Sequence, residues 1–311
     1  MKKRVLSAML VAAMAMTAMP SQTFAEGALD AAQQTGKLSY DGYKEVWHDE
    51  FNGDSLNRAD WNVETHEKGW VNNELQEYVD SDENIQVKDG KLIINPVKKV
   101  TDGDTGSTKE AASYTSGRVS TQNKQTFTYG RFECRAKVPK GQGYLPAFWL
   151  MANDENVYGQ WPRCGEIDCM EVMGQETNKA YGTLHYGNPH SQSQGTYTIT
   201  DGADFSDDFH TFTCDWEPGK ITWYVDGVKY HEESEWHSTT VGQGTLAYPA
   251  PFDQPFYIIL NLAVGGSWVG NPNDETSFEN NPYVIDYVRV YQKDSYDEDV
   301  KRPGEISLVM S

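Results

Sequence analysis

The sequence predicts an all-β sandwich of two antiparallel sheets. Short β-rich runs recur between Trp47 and Tyr291, turn residues separate them at close intervals, and several runs alternate apolar with polar side chains. In chain order the runs are 84–88, 91–95, 117–121, 130–138, 144–151, 165–173, 179–185, 210–216, 220–225, 255–264 and 283–291. Asp89-Gly90 joins the first two, and Asp226-Gly227 joins KITWYV to VKYH; both dipeptides accept the positive φ of a type I′ hairpin turn. In GRFECRAKV, Phe132, Cys134, Ala136 and Val138 fall on one face and Arg131, Glu133, Arg135 and Lys137 on the other, the pattern of a half-buried strand. No repeat or low-complexity linker interrupts the region, so one domain over residues 45–292 is expected.

The ends read differently. Residues 1–25 begin with Lys2, Lys3 and Arg4, continue through an uncharged Ala/Met-rich stretch, and finish in small residues at Thr23 and Ala25, the plan of a secretory leader cut after Ala25. That stretch is too short and weakly flanked to prefer a membrane span. Residues 26–44 read as a lead-in, and 293–311 as a charged tail or the stump of a linker. Loss of the three basic residues takes the net charge from −20 to −23, which disfavours nucleic acid and anionic membranes as partners. A soluble, exported monomer acting on a neutral partner fits better. The chain carries 9 Trp, 18 Tyr and 11 Phe, more than a core alone requires, and aromatic faces also grip sugar rings. Cys134, Cys164, Cys169 and Cys214 lie among apolar residues, which favours buried thiols over a bridge.

The chemistry concentrates in QWPRCGEIDCMEVMG, residues 160–174. On a regular strand Glu166 and Asp168 share a face while Ile167 and Cys169 enter the core. Strict alternation would also turn Glu171 inward, where an unpaired carboxylate is costly. One inserted residue, a β-bulge around Cys169–Met170, returns Glu171 to the outer face. Three carboxyl groups on one face cannot all ionise cheaply, so one is held protonated as a general acid needs and a neighbour ionises as a nucleophile needs. Strand arithmetic leaves open both the ~5–5.5 Å spacing of retaining glycosidases and the ~6.5–9.5 Å of inverting ones. Elsewhere ExDxxE is ordinary surface charge; here Trp161, Pro162 and Gly165 flank it in an aromatic-rich, exported chain.

GEIDCMEVMG resembles the signature of glycoside hydrolase family 16, in the bulged form of laminarinases (endo-β-1,3-glucanases). WHDEFNG, GWVNNELQEY, GRFECRAKVPKGQGYLPAFWLM, YGTLHYG, FHTFTCDWEPGKITWYVDG, PFYIILNLAVGGSWVG and VIDYVRVYQ agree with it, so the resemblance spans residues 46–292. It implies a β-jelly-roll with a concave substrate cleft and retaining double displacement on a polysaccharide. Glu166 would be the nucleophile, Glu171 the general acid/base, and Asp168 the hydrogen-bonded residue between them. Trp161, His185 and Asn73 match positions that line the cleft; Trp268, on a Gly-flanked loop with no core to fill, would join them, Arg118 and Asn261 would face the same cleft, and Trp149 serves either cleft or core. Catalysis would need no cofactor. A structural calcium ion would sit away from the acids on Glu50, the Gly90 carbonyl and Asp286, since oxygen donors suit that ion; these are otherwise surface acids. Cys169 departs from the family's aliphatic residue without touching the acids.

Within the same chemistry, a mixed-linkage β-1,3-1,4-glucanase, a galactan hydrolase or a transglycosylase stands beside the laminarinase. From other classes, a non-catalytic carbohydrate-binding sandwich predicts an aromatic groove with eroded acids, and a purely structural domain has no use for a Trp-flanked acidic strand.

Overall fold

The computed structural model describes residues 40–99, 113–240 and 244–304. The leader at 1–25 and the lead-in up to residue 39 lie outside the described residues. No helix occurs among the described residues, and none is long and apolar enough to cross a membrane. Two eight-stranded sheets pack face to face. The first runs in the order Val228–Glu233, Lys220–Val225, His210–Glu217, Gly130–Lys137, Tyr283–Lys293, Lys91–Ile94, Ile85–Lys88, with Tyr43–Asp49 also paired to Tyr283–Lys293. The second runs Ser191–Thr198, Lys179–Tyr186, Glu166–Glu171, Tyr144–Ala152, Phe256–Val264, Arg118–Ser120, Asn62–Val63, with Thr126–Phe127 also on Phe256–Val264. Every pairing in both sheets is antiparallel, giving the jelly-roll sandwich the sequence predicts.

The strands form where expected because their alternation matches two environments. Along Tyr144–Ala152, Phe148 and Leu150 enter the core while Leu145, Ala147, Trp149 and Met151 line an outer cleft. Phe256–Val264 repeats the pattern, with Ile258, Leu260 and Leu262 inside and Tyr257, Asn261 and Ala263 on the cleft. Asp89 (φ 52°) and Gly90 (φ 70°), and Asp226 (φ 48°) and Gly227 (φ 77°), make the two hairpin turns in the left-handed region the sequence indicates. Two strands of seven or more residues escape the sequence reading, as do several of two to four residues. Tyr43–Asp49 pairs along the last strand, and Ser191–Thr198 forms the edge of the cleft sheet. Tyr296, in the charged tail, folds back onto the core beside Tyr129 at 5.3 Å between ring centroids. All four cysteines are free and buried, as their apolar surroundings indicate.

The acidic strand carries the bulge. Against Tyr144–Ala152, Met170 faces Phe148 and Asp168 faces Trp149, so Cys169 has no partner. Against Lys179–Tyr186, Glu171 faces Tyr181 and Asp168 faces Thr183, so two residues oppose Gly182 alone. Cys169 and Met170 both enter the core, and Glu171 returns to the cleft. The opposite sheet braces this irregularity: the buried indole of Trp223 donates to the Asp168 carbonyl at 2.8 Å. Gly182 makes the approach possible, because a Cβ there would stand 2.4 Å from Trp223 Cδ1 and 2.5 Å from the Tyr230 hydroxyl.

Trp223→Phe should leave that buried carbonyl unpaired and lower unfolding free energy by ~1–3 kcal/mol in a denaturant titration. It should also lower kcat with KM little changed, because the acids lose alignment while the cleft aromatics stay. An unaltered denaturation midpoint would show that the indole does not brace the bulge.

Candidate active site

Glu166, Asp168 and Glu171 share one face of the bulged strand and open into a cleft of about 500 Å³ bordered by Trp149, Trp161 and Trp70. Asp168 is buried (3 % exposed), and the two glutamates are half-buried at either end. Trp161, 46 % exposed, donates its Nε1–H to Glu166 Oε2 at 2.7 Å. His185 stands opposite Glu166 on the neighbouring strand, with Nε2 3.1 Å from Asp168 Oδ2 and 3.8 Å from Glu166 Oε1. Asp168 Oδ2 has no well-angled hydrogen bond despite that short approach.

Burial governs the protonation of all three acids. It pushes Asp168 up to about 7 while a hydrogen bond shared with Glu166 pulls it back. Burial and the charge of Asp168 push Glu166 up to about 8, against the pull of His185 and the Trp161 N–H. Glu171 is raised well above the usual glutamate range, by burial and then by Asp168 and Glu166, with His185 the opposing charge. No hydrogen bond reaches the Glu171 carboxyl among the described residues, whereas Glu166 has Trp161 and a proton shared with Asp168. The asymmetry leaves Glu171 holding its proton longest and the Glu166–Asp168 pair ionising first.

The other expected residues divide into groups. Arg118 is buried (6 % exposed), pairs through Nε with Glu64 Oε2 at 2.5 Å, and lies over the rings of Trp149 at 4.8 Å and Trp70 at 5.3 Å. Burial pushes the Glu64 carboxyl up, but Arg118 with bonds from Ser120 and His66 brings it below its usual range. Trp149 reaches the cleft, donating Nε1–H to Asn261 Oδ1 at 2.7 Å, and Asn261 donates to the Tyr78 hydroxyl at 3.0 Å. Trp268 is 44 % exposed and edge-on to Tyr181 at 5.4 Å, beside Glu171's strand neighbour. Asn73 instead donates to Ser267 Oγ at 2.9 Å, tying two loops together, and its neighbour Asn72 borders the cleft.

Trp70 and Glu74 escape the sequence reading. Trp70 is 49 % exposed and stacks on His66 at 3.5 Å and 3°. A Trp-Val pair in a Gly/Asn-rich loop was the available signal, since such a loop has no core to fill. Glu74 is buried with Gln76 Nε2 at 2.7 Å, and burial raises its pKa despite that donor.

Of the three positions implied for calcium, the two acids, Glu50 and Asp286, are each paired with cations. Glu50 accepts from Arg289 at 2.7 and 3.0 Å, and Asp286 from Arg135 at 2.6 Å with Lys91 3.9 Å away. An ion there would compete with two guanidinium groups, so this donor set fits calcium poorly and no step below passes through a metal.

Because Glu171 is raised in the folded state, the native protein binds its proton more tightly than the unfolded chain. Its share of stability is therefore full below the ordinary glutamate range and is lost as pH rises through the folded pKa. Glu171→Gln, neutral at every pH, should match wild-type Tm near pH 4 and exceed it increasingly toward pH 8. A constant difference across that range in thermal melts would contradict the assignment.

The profile of glycosyl hydrolases family 16 matches residues 72–289. The chain is 39 % identical over 267 residues to the glucan endo-1,3-β-glucosidase A1 of Niallia circulans, covering 81 % of this chain and 38 % of that protein. It is 41 % identical over 255 residues to the glucan endo-1,3-β-glucosidase of Cryptopygus antarcticus, covering 78 % and 90 %. Among solved structures, the endo-β-1,3-glucanase of Pyrococcus furiosus superposes with a TM-score of 0.68 at 38 % identity, covering 81 % of this chain and 95 % of that one. With the three acids on a bulged jelly-roll strand and these matches across most of its length, the chain belongs to glycosyl hydrolases family 16.

Proposed function

We propose that this chain is an exported, endo-acting hydrolase of β-1,3-glucan that works by double displacement with retention. The observation that carries the reading is the bulged strand, which sets three carboxyl groups of unequal proton affinity on one wall of an aromatic-lined cleft. The relatives named endo-1,3-β-glucosidases support the linkage. Export rests on the basic-then-apolar pattern of residues 1–25.

In the first step Glu171, still protonated, gives its proton to the departing glycosidic oxygen. The Glu166 carboxylate attacks the anomeric carbon, and the C–O bond to the leaving sugar breaks as the ester forms. Attack draws on the minor form of the pair in which Asp168 holds their shared proton and donates a hydrogen bond to the anionic Glu166. Trp161 Nε1–H holds the other oxygen, fixing the carboxylate's rotation. In the second step Glu171, now ionised, takes a proton from water, and the hydroxide attacks the same carbon and frees Glu166. Trp149, Trp161 and Trp70 offer apolar faces to successive sugar rings.

Product analysis on laminarin, lichenan and agarose tests the reading. Wild type should release oligosaccharides of several lengths from laminarin first, and Glu171→Ala should lower that rate by about 10²–10⁴-fold. Cutting of lichenan or agarose in preference would overturn the linkage. Undiminished hydrolysis by the variant would remove Glu171 from its role, and binding of laminarin without cutting would make the chain a binding module.

A further inference from the structure

His190 stands outside the machinery described so far. It is the last residue of the turn after the strand Lys179–Tyr186 and is exposed. Its Nε2 lies 2.8 Å from His185 Nδ1, with the two rings 17° from parallel and 5.1 Å apart. Trp161 packs against the same imidazole at 5.1 Å and 40°. The two side chains that address the acid pair, Trp161 on Glu166 and His185 toward Asp168, therefore rest against one ring.

An N···N contact between two imidazoles holds one hydrogen, and where it sits decides what the far nitrogen can do. If His190 donates, a neutral His185 has a bare Nδ1 and a protonated Nε2. That Nε2–H then lies beside the acid pair, 3.1 Å from Asp168 Oδ2 but off the hydrogen-bond axis, and 3.8 Å from Glu166 Oε1. If His185 donates instead, its Nε2 presents a lone pair to two carboxylates, which is repulsive once either ionises.

We propose that His190 is a positioning residue: by donating Nε2–H to His185 Nδ1 it fixes His185 in the tautomer that places Nε2–H, rather than a lone pair, beside the Asp168–Glu166 pair, stabilising the nucleophile's negative charge. The proposal rests on Glu166 being the nucleophile. His190 needs no contact with substrate, and its exposure means that substitutions there spare the core.

Two-bond ¹H–¹⁵N correlation spectra of histidine-labelled protein read the tautomer directly, and kinetics read its consequence. In wild type His185 should show a protonated Nε2 and a bare Nδ1. His190→Leu should give a tautomer mixture and lower kcat by about tenfold, with KM changed by no more than about twofold. His190→Gln, which keeps an N–H donor, should restore both readings. A wild-type tautomer and kcat in His190→Leu would overturn the proposal, as would a defect that Gln leaves unrepaired. The spectra need no substrate, so inactivity of wild type on β-1,3-glucan would sink the functional reading alone; the kinetic arm uses whichever glycan wild type cleaves.

Discussion

Everything chemical in this molecule depends on one extra residue in one strand. A regular strand from Glu166 to Glu171 would turn the last carboxylate into the core and Met170, which now fills it, out to the cleft. Inserting a residue opposite Gly182 lets Cys169 and Met170 both pack inward and returns Glu171 to the cleft. Such a kink disrupts a ladder of backbone bonds, so something must hold it. Here the opposite sheet does, through the Trp223 indole on the Asp168 carbonyl, and Gly182 is bare so that the ring can come that close. Catalytic geometry and core packing are the same constraint viewed from two faces of a sheet.

The electrostatics follow from that geometry. Three acids crowded on a half-buried surface all favour the protonated form, and the differences come from their neighbours. Glu166 has an indole N–H, a nearby imidazole and a partner acid with which to share a proton; Glu171 has repulsion from three acids and no donor among the described residues. On the proposed reading that asymmetry makes Glu171 the proton donor and Glu166 the carboxylate once the pair ionises, although both are glutamates on the same strand.

The fold was legible because strand alternation is set by local sequence. The carboxylate strand was legible too, bulge included, since burying Glu171 was physically unattractive and only an inserted residue avoids it. The missed strands Tyr43–Asp49 and Ser191–Thr198 have a common cause. Both lie at sheet margins, exposed on much of their length, so SQSQGTYT carries no apolar alternation to read. Among site residues, long-range partners were invisible. Nothing in the chain says that Asn73 will reach Ser267, that Trp223 will brace a strand 55 residues away, or that Glu50 and Asp286 will meet arginines. Side chains whose role is set by their own strand could be read; those set by a distant loop could not.

The central claim is that Glu166 forms a covalent bond to the sugar. A 2-deoxy-2-fluoro laminaribioside with a good leaving group slows both steps but lets the first proceed, so the ester accumulates. Mass analysis of the digested, labelled protein should place one glycosyl group on Glu166. A label on Asp168 or Glu171, or steady turnover with inversion and no label, would contradict the account.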